Sequence, residues 1–326
     1  MTGPAASNHE VLLDIQELRV DYETPRGAIH ACSGVNLSVC KGEIVGLVGE
    51  SGCGKTTAAM SVLRLVQPPG RIAEGRIMIG GTDLLSLDEE DMRRRRWRDI
   101  SLVPQGAMNS LNPLLRISAQ IGDVLRTHQG VRSRAAVGDR TARLLGLVGL
   151  PARVASLFPH ELSGGMKQRV CIAMAIALDP SLIIADEPTS ALDVIVQRVV
   201  AQTLRDIRDR LGIAILVITH DMALIAQLAD RVAVMYAGKI VESAGTADLF
   251  AHACHPYTRL LIDAIPSIRK RKPPASFGGL MPDARATPAG CVFSSRCTCA
   301  LECCASSSPS PREVAHGHIA SCHLCQ

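Results

Sequence analysis

A glycine-rich segment of the form G-x-x-x-x-G-K-T occupies residues 49–56 of this 326-residue chain. An apolar stretch precedes it at residues 43–48, and a helical pattern follows it at residues 56–66. A loop of this form cradles phosphate, because backbone N–H groups at the helix N-terminus face the anion. We expect the Lys55 ammonium to contact the β- and γ-phosphates of a nucleotide and the Thr56 hydroxyl to hold Mg²⁺. The predicted nucleotide-binding residues of this segment are Gly49, Ser51, Gly52, Cys53, Gly54, Lys55, Thr56 and Thr57.

Two adjacent carboxylates follow a second apolar stretch. Residues 182–185 predict a buried strand, and Asp186 and Glu187 come directly after it. An apolar strand that ends in Asp-Glu is common and means little by itself. In a chain with a phosphate loop, Asp186 is placed to hold Mg²⁺ and Glu187 to polarise an attacking water molecule. We therefore predict that Glu187 is the catalytic base.

Gln105 and His220 each follow a predicted strand, at residues 100–103 and 213–218 respectively. A lone Gln is usually a surface residue, and a His at a strand end more often caps or packs. At the C-terminal edge of a parallel sheet, such side chains face the ligand crevice. We expect Gln105 to enter the Mg²⁺ and water shell, and His220 to contact the γ-phosphate. The predicted catalytic residues are Glu187, His220 and Gln105, and the predicted Mg²⁺ residues are Thr56, Gln105 and Asp186.

A second glycine motif, Leu-Ser-Gly-Gly-Met-Lys-Gln, lies at residues 162–168. Inside a single folded chain, this motif would not help to bind the nucleotide held by the phosphate loop. It makes sense if a second subunit presents a nucleotide to it. The sequence therefore predicts a site that is divided between two chains.

Composition restricts the classes of protein to which the chain can belong. Hydrophobic residues make up 47% of it, so we expect a globular α/β core with room for a second module. A net charge of +4 and 2% aromatic residues argue against nucleic-acid binding. No apolar run approaches the roughly 18 residues that span a bilayer, and the N-terminus lacks a signal-peptide pattern. We therefore expect a cytosolic chain that reaches a membrane only through a partner.

Cysteines are frequent and clustered. Seven of the 12 lie between Cys291 and Cys325. A cytosolic location argues against disulfides, so the clustered thiols suggest a metal or iron–sulfur site. Four thiolates suit either an iron–sulfur cluster or tetrahedral zinc. A tail of reduced thiols that bind nothing is the alternative.

Strand and helix patterns alternate along most of the chain, which indicates a mainly parallel sheet. Residues 11–20 and 29–39 are strand-like, the second of these as one or two strands, and residues 105–180 are mostly helical. Residues 232–242 predict a hairpin. A basic, proline-rich linker at residues 269–274 leads into the cysteine-rich tail.

The order of these motifs resembles that of the ATP-binding cassette family over about residues 12–250. The matching segments are the phosphate loop, Gln105, residues 162–168, Asp186-Glu187, residues 190–193 and His220. The resemblance implies an α/β P-loop NTPase fold with a mainly parallel core sheet, an N-terminal antiparallel β-subdomain, a helical subdomain at about residues 106–180 and a small Cys-rich C-terminal extension. It divides the chain into a cassette at residues 1–254 and the extension at residues 255–326.

In that family, two cassettes enclose two ATP molecules head to tail. The resemblance therefore implies that Ser163, Gly164 and Gly165 bind the γ-phosphate held by the partner's phosphate loop. Tyr22 matches the aromatic residue that stacks on adenine, and the alternative is a strand tyrosine that packs on a neighbour.

Four further segments resemble the oligopeptide, dipeptide and nickel importer branch: residues 105–113, 255–258, 264–266 and 290–297. The resemblance implies the ATP-hydrolysing subunit of an importer at the cytoplasmic face of the cell (inner) membrane, with peptides as substrate and nickel or glutathione as alternatives. The implied partners are a second, paralogous ATPase subunit, two transmembrane permease subunits and an extracytoplasmic substrate-binding protein. A soluble cassette ATPase that acts on nucleic acid is the rival interpretation.

Some members of that branch hold a [4Fe–4S] cluster in the tail. By position in the matching segments, its ligands here would be Cys291, Cys297, Cys304 and Cys322, with zinc as the alternative occupant.

Overall fold

The structure is a computed structural model that describes residues 10–265, 279, 281–285 and 288–325. In chain order, its strands are β1 (Val11–Tyr22), β2 (Ile29–Cys40), β3 (Ile44–Val48), β4 (Gly70–Ile79), β5 (Thr82–Asp83), β6 (Ile100–Val103), β7 (Leu182–Asp186), β8 (Ala214–Thr219), β9 (Arg231–Tyr236), β10 (Lys239–Gly245), β11 (Arg312–Ala315) and β12 (His318–Ala320). Its helices are α1 (Lys55–Val62), α2 (Glu89–Arg95), α3 (Ile117–Gln129), α4 (Arg134–Leu147), α5 (Gly164–Ala175), α6 (Val194–Leu211), α7 (Met222–Leu228), α8 (Thr246–His252), α9 (Pro256–Asp263) and α10 (Cys303–Ser306). Short 3₁₀ segments cover Leu84–Ser86, Ala107–Asn109, Ala152–Ser156, Pro159–Glu161 and Ser294–Arg296.

The main sheet has the strand order β11-β12-β10-β9-β3-β8-β7-β6. Strands β9, β3, β8, β7 and β6 are parallel, whereas β10, β12 and β11 pair antiparallel. Every residue of β3, β7 and β8 is buried, as expected for parallel strands that are covered on both faces. The prediction of a mainly parallel core sheet is confirmed.

Two hydrophobic cores lie on the two faces of this sheet. Alternate residues of β7 point to opposite faces. Ile183 belongs to the core formed with helices α3 to α9, and Ile184 belongs to the core formed with α1 and the N-terminal strands. The sheet is thus fixed from both sides, and its C-terminal edge is left free for a site.

The N-terminal strands form a separate antiparallel sheet with the order β2-β1-β4-β5. The segment predicted as one or two strands is the single strand β2. Helix α1 ends at Val62, four residues before the predicted end, because Arg64 adopts a left-handed φ of 52°. The Leu65 N–H then donates to the Met60 carbonyl at 2.8 Å and closes the helix.

Helices α3, α4 and α5 make up most of residues 106–180, as the apolar spacing predicts. Their buried residues, among them Ile121, Leu144 and Val170, pack into one core. Within the described residues, no helix combines the length and apolarity needed to cross a bilayer.

The C-terminal tail joins the main sheet, because β12 pairs with β10 and carries β11 with it. Glu242 of β10 is buried, and its carboxylate accepts from the N–H groups of Cys254 and His255 at 2.6 and 3.0 Å. The same carboxylate lies 2.7 Å from Nε2 of the buried His318 on β12. The C-terminal tail is therefore packed against the main sheet through these contacts. The predicted linker at residues 269–274 lies outside the described residues.

Candidate functional site

The predicted site residues converge at one edge of the main sheet. Because β3, β8, β7 and β6 are adjacent and parallel, the segments that follow them meet at their C-terminal ends. These segments are the phosphate loop after β3, His220 after β8, Glu187 after β7 and Gln105 after β6.

The phosphate loop is tightly enclosed by neighbouring backbone. Gly54, which caps α1, has φ 107°, and a Cβ there would lie 2.1 Å from the Ala31 carbonyl oxygen. A Cβ at Gly49 would lie 2.1 Å from the Met235 carbonyl oxygen. Glycine is therefore required at both ends of the loop, because any side chain would force β2 or β9 away.

The Lys55 side chain is buried beneath this loop. Its Nζ donates to the carbonyl oxygens of Gly49 and Glu50, at 2.8 and 2.9 Å. The Cys53 thiol is also buried, and this burial raises its pKa. The Cys53 N–H donates to the Glu50 carbonyl at 3.3 Å, so Cys53 and Lys55 both bind backbone oxygens of the loop.

Thr56 and Asp186 form a polar pair that suits Mg²⁺. The Thr56 hydroxyl donates to Asp186 Oδ1 at 3.2 Å. Asp186 is fully buried, and its Oδ2 has no hydrogen-bond partner among the residues that the structure describes. Burial, reinforced by the Glu187 charge, raises the pKa of Asp186. A bound cation would satisfy Oδ2 and favour the ionised carboxylate, so these residues fit a Mg²⁺ ion.

Glu187 contacts both of the other predicted catalytic residues. Glu187 Oε1 lies 3.0 Å from His220 Nδ1, and Gln105 Nε2 donates to Glu187 Oε2 at 3.3 Å. Glu187 has a left-handed φ of 46°, and its N–H donates to the Ile218 carbonyl at 2.8 Å. The carboxylate is thus held between the ends of β8 and β6, and the role of Gln105 in the Mg²⁺ shell stays a prediction.

The second glycine motif begins helix α5. Ser163 is exposed and caps the helix by accepting from the Met166 N–H at 3.4 Å. Gly165 packs beneath α6, where a Cβ would lie 2.3 Å from Val196 Cγ1. Within the described part of the chain, no hydrogen bond joins Ser163, Gly164 or Gly165 to the phosphate loop. This arrangement leaves the α5 N-terminus open to a ligand from outside the chain.

Tyr22 lies at the end of β1, half-buried, with its ring over Gly70 of β4. The role of Tyr22 as a platform for a base stays a prediction.

The chain is similar to known proteins over nearly its whole length. A dipeptide transport ATP-binding protein of Caldanaerobacter subterraneus is 40% identical over 321 residues, which cover 96% of this chain and 97% of the relative. A dipeptide transport ATP-binding protein of Haemophilus influenzae is 39% identical over 316 residues, which cover 96% and 95%. The chain belongs to the ABC transporter family. Residues 32–190 match the ABC transporter family, and residues 241–304 match the oligopeptide/dipeptide transporter C-terminal region.

A solved dimeric ATP-binding cassette in a post-hydrolysis state, bound to ADP and Pi, shares the fold of this ABC protein. It is 28% identical and superposes with a TM-score of 0.65 over 72% of this chain and 99% of its own. The match confirms the P-loop NTPase cassette fold. The second family match, to residues 241–304, covers the first part of the extension at residues 255–326.

The predicted thiol ligands of the tail lie near one another. Burial raises the pKa of Cys291, and the neighbouring thiols of Cys304, Cys322 and Cys297 raise it further. Among the residues that the structure describes, however, no three of these four thiols have their sulfur atoms within 4.8 Å of one another.

By contrast, the donor atoms of Cys303, Cys304 and His323 lie within 4.8 Å of one another. Sequence reasoning left Cys303 and His323 out of the ligand set, because three closely spaced cysteines give no signal of which thiols face inward.

Proposed function

We propose that this ABC protein is the ATP-hydrolysing subunit of a peptide importer, working as a head-to-tail dimer of cassettes on two membrane permease subunits. The contact of Glu187 with both His220 and Gln105, beside the Thr56–Asp186 pair, is the observation that supports hydrolysis most directly. The peptide substrate is supported by relatives that are named dipeptide transport ATP-binding proteins and are matched over nearly their whole length.

In this proposal, the phosphate loop and Lys55 bind the nucleotide phosphates. Thr56 and Asp186 hold Mg²⁺, which neutralises charge on the phosphate oxygens when it is bound. Glu187 accepts a proton from the attacking water, and His220 orients its carboxylate. Ser163, Gly164 and Gly165 contact the γ-phosphate on the partner subunit's loop, and Tyr22 stacks on adenine.

Gln105 offers a connection between hydrolysis and the membrane subunits. It contacts Glu187 and begins the segment that contains Leu114 and Leu115, whose side chains are 82% and 44% exposed. Exposed leucines next to each other are typical of an interaction surface. We therefore place the permease contact on this segment, so that closure of the cassette dimer moves the permease.

Affinity purification from detergent-solubilised membranes tests this function. The tagged chain should retain two permease subunits and a second cassette subunit. In the proposal, this complex lies at the inner membrane with the cassettes on its cytoplasmic face. Leu114→Glu should release the permease subunits, whereas Leu301→Glu, which changes a leucine 44% exposed in the tail, should retain them. Recovery of ribosomes or nucleic acid without permease subunits would contradict the proposal.

We also propose that Cys291, Cys297, Cys304 and Cys322 hold a [4Fe–4S] cluster. Anaerobically prepared protein should contain about four iron atoms per chain and absorb in the visible range. Cys304→Ser should lose both signals, whereas Cys299→Ser, which changes an exposed thiol, should keep them. Zinc in place of iron, or no metal at all, would contradict the proposal.

A further inference from the structure

The phosphate loop is held from outside by the C-terminal extension. Both carboxylate oxygens of Glu50, the second residue of the loop, accept from the guanidinium of Arg296, at 2.8 and 3.0 Å. The Arg296 side chain is 5% exposed and that of Glu50 is 24% exposed. The pair is thus bidentate and largely shielded from water, which is the geometry in which charge-assisted hydrogen bonds are strongest.

Arg296 is itself fixed by an aromatic cluster. Its Nη1 donates to the Tyr236 hydroxyl at 3.2 Å, and its guanidinium lies 5.7 Å from the centre of the Tyr236 ring. The rings of Tyr236, Tyr257 and Phe293 pack against one another with centroids 4.6 to 5.4 Å apart. Tyr257 and Phe293 belong to the extension, and Tyr236 ends β9 of the main sheet. The guanidinium therefore has little freedom to leave Glu50.

Glu50 is bound at its backbone as well as at its side chain. Its N–H donates to the Tyr257 hydroxyl at 2.9 Å, and its carbonyl oxygen accepts from Lys55 Nζ at 2.9 Å. The extension thus holds the side chain and the N–H of Glu50, and the loop holds its carbonyl oxygen through the Cys53 N–H, at 3.3 Å, and through the lysine that the nucleotide needs. A shift of Glu50 would move the carbonyl that holds this lysine.

We infer that Arg296 is a positioning residue for nucleotide binding, and that it acts by fixing Glu50 and neutralising its charge beside the phosphate loop. Without Arg296, a carboxylate would remain unpaired next to a loop that binds polyanionic phosphates. The extension would then be part of the nucleotide site, although none of its residues is expected to touch the nucleotide. This inference rests on ATP binding by the loop and does not depend on the transported substrate.

The test is equilibrium binding of a fluorescent ATP analogue with Mg²⁺ to the purified full chain. Arg296→Met should raise the dissociation constant about tenfold, within the range of typical couplings between sites. The double variant Glu50→Gln/Arg296→Met should bind more tightly than Arg296→Met, because the unpaired carboxylate is gone. Arg285→Met is the matched control, since Arg285 lies in the same extension and forms its ion pair with Asp283 on the surface. It should leave the dissociation constant unchanged.

A merely structural role would give a different pattern. If the pair only stabilised the fold, folded Arg296→Met would bind the analogue with the wild-type dissociation constant, and only its free energy of unfolding would fall, because an unpaired shielded carboxylate destabilises the fold. That result, or a double variant that binds no more tightly than Arg296→Met, would overturn the inference.

If Arg296→Met fails to fold, Arg296→Lys takes its place, because it keeps the charge and loses the bidentate contact. It should weaken binding about threefold, and wild-type affinity would then overturn the inference. Failure of the wild-type chain to bind the analogue would instead refute nucleotide binding itself.

Discussion

Replacing Glu187 with Gln should abolish hydrolysis and leave nucleotide binding intact. Glu187 contacts His220 and Gln105, and neither contact involves the phosphate loop. The amide of Gln has nearly the same shape as the carboxylate and can keep a hydrogen bond to Gln105. The change therefore removes the base and little else.

The expected loss follows from the role of the carboxylate. A positioned general base contributes roughly 10²–10⁴-fold to a rate. At about 1.4 kcal/mol for each factor of ten, this is about 3–5 kcal/mol of the activation barrier. His220→Ala removes only the contact at Oε1 and should lie at the low end of this range.

The assay is steady-state phosphate release by the complex purified with its partner subunits, together with ATP binding by the same preparation. Glu74→Gln is a suitable control, because Glu74 is exposed on β4 and pairs with Arg19 on the surface. Normal turnover by Glu187→Gln would refute the assignment of the base. Turnover and binding that fall together would show that Glu187 acts on the ground state instead.

Three further outcomes are expected. Asp186→Asn should raise the Mg²⁺ concentration needed for half-maximal ATPase activity by at least about tenfold, because the buried carboxylate that includes Oδ2 would become an uncharged amide. An unchanged Mg²⁺ titration would argue against a metal role for Asp186. Gly165→Ala should lower ATPase activity while the chain still binds ATP, because a Cβ at this position would clash with Val196. Gly146→Ala is the control, since a Cβ there would meet open space, and it should leave activity intact. Equal activity of the two variants would contradict the packing argument. Burial lowers the pKa of His255 to about 4, so the folded protein favours the neutral imidazole. The free energy of unfolding should therefore fall by up to about 3 kcal/mol as the pH falls from 6.5 to 4. Urea unfolding of the wild type and of a His255→Gln variant at both pH values measures this fall, and an equal fall in the two proteins would exclude His255 as the cause.

Local patterns were sufficient to predict which residues meet at the edge of the main sheet. The phosphate loop, Asp186 and Glu187 lie directly after buried strands, so the polarity of the sequence marks the sheet edge where they meet. Once the strands are assigned as parallel, the closeness of Gln105, Glu187 and His220 follows from their places at strand ends. This part of the site follows from the local sequence around each strand and from the rule that the C-terminal ends of parallel strands meet at one edge of the sheet.

Contacts between distant segments were not predictable from the same patterns. Strand β12 is three residues long and pairs with β10 more than seventy residues earlier, and its sequence gives no strand signal of its own. The Glu50–Arg296 pair joins residues 246 positions apart. An arginine between two cysteines has many available partners, and only the packing of Tyr236, Tyr257 and Phe293 selects one.

The attachment of β12 and β11 to the main sheet also bears on solubility. Without them, β10 would present its unpaired N–H and C=O groups along one side of the sheet, where another chain could add a strand. With them, the outermost strand on this side is β11, which has four residues and begins with Arg312 and Glu313. A short, charged border strand is a poor template for intermolecular pairing, so the tail protects the cassette against edge-to-edge aggregation.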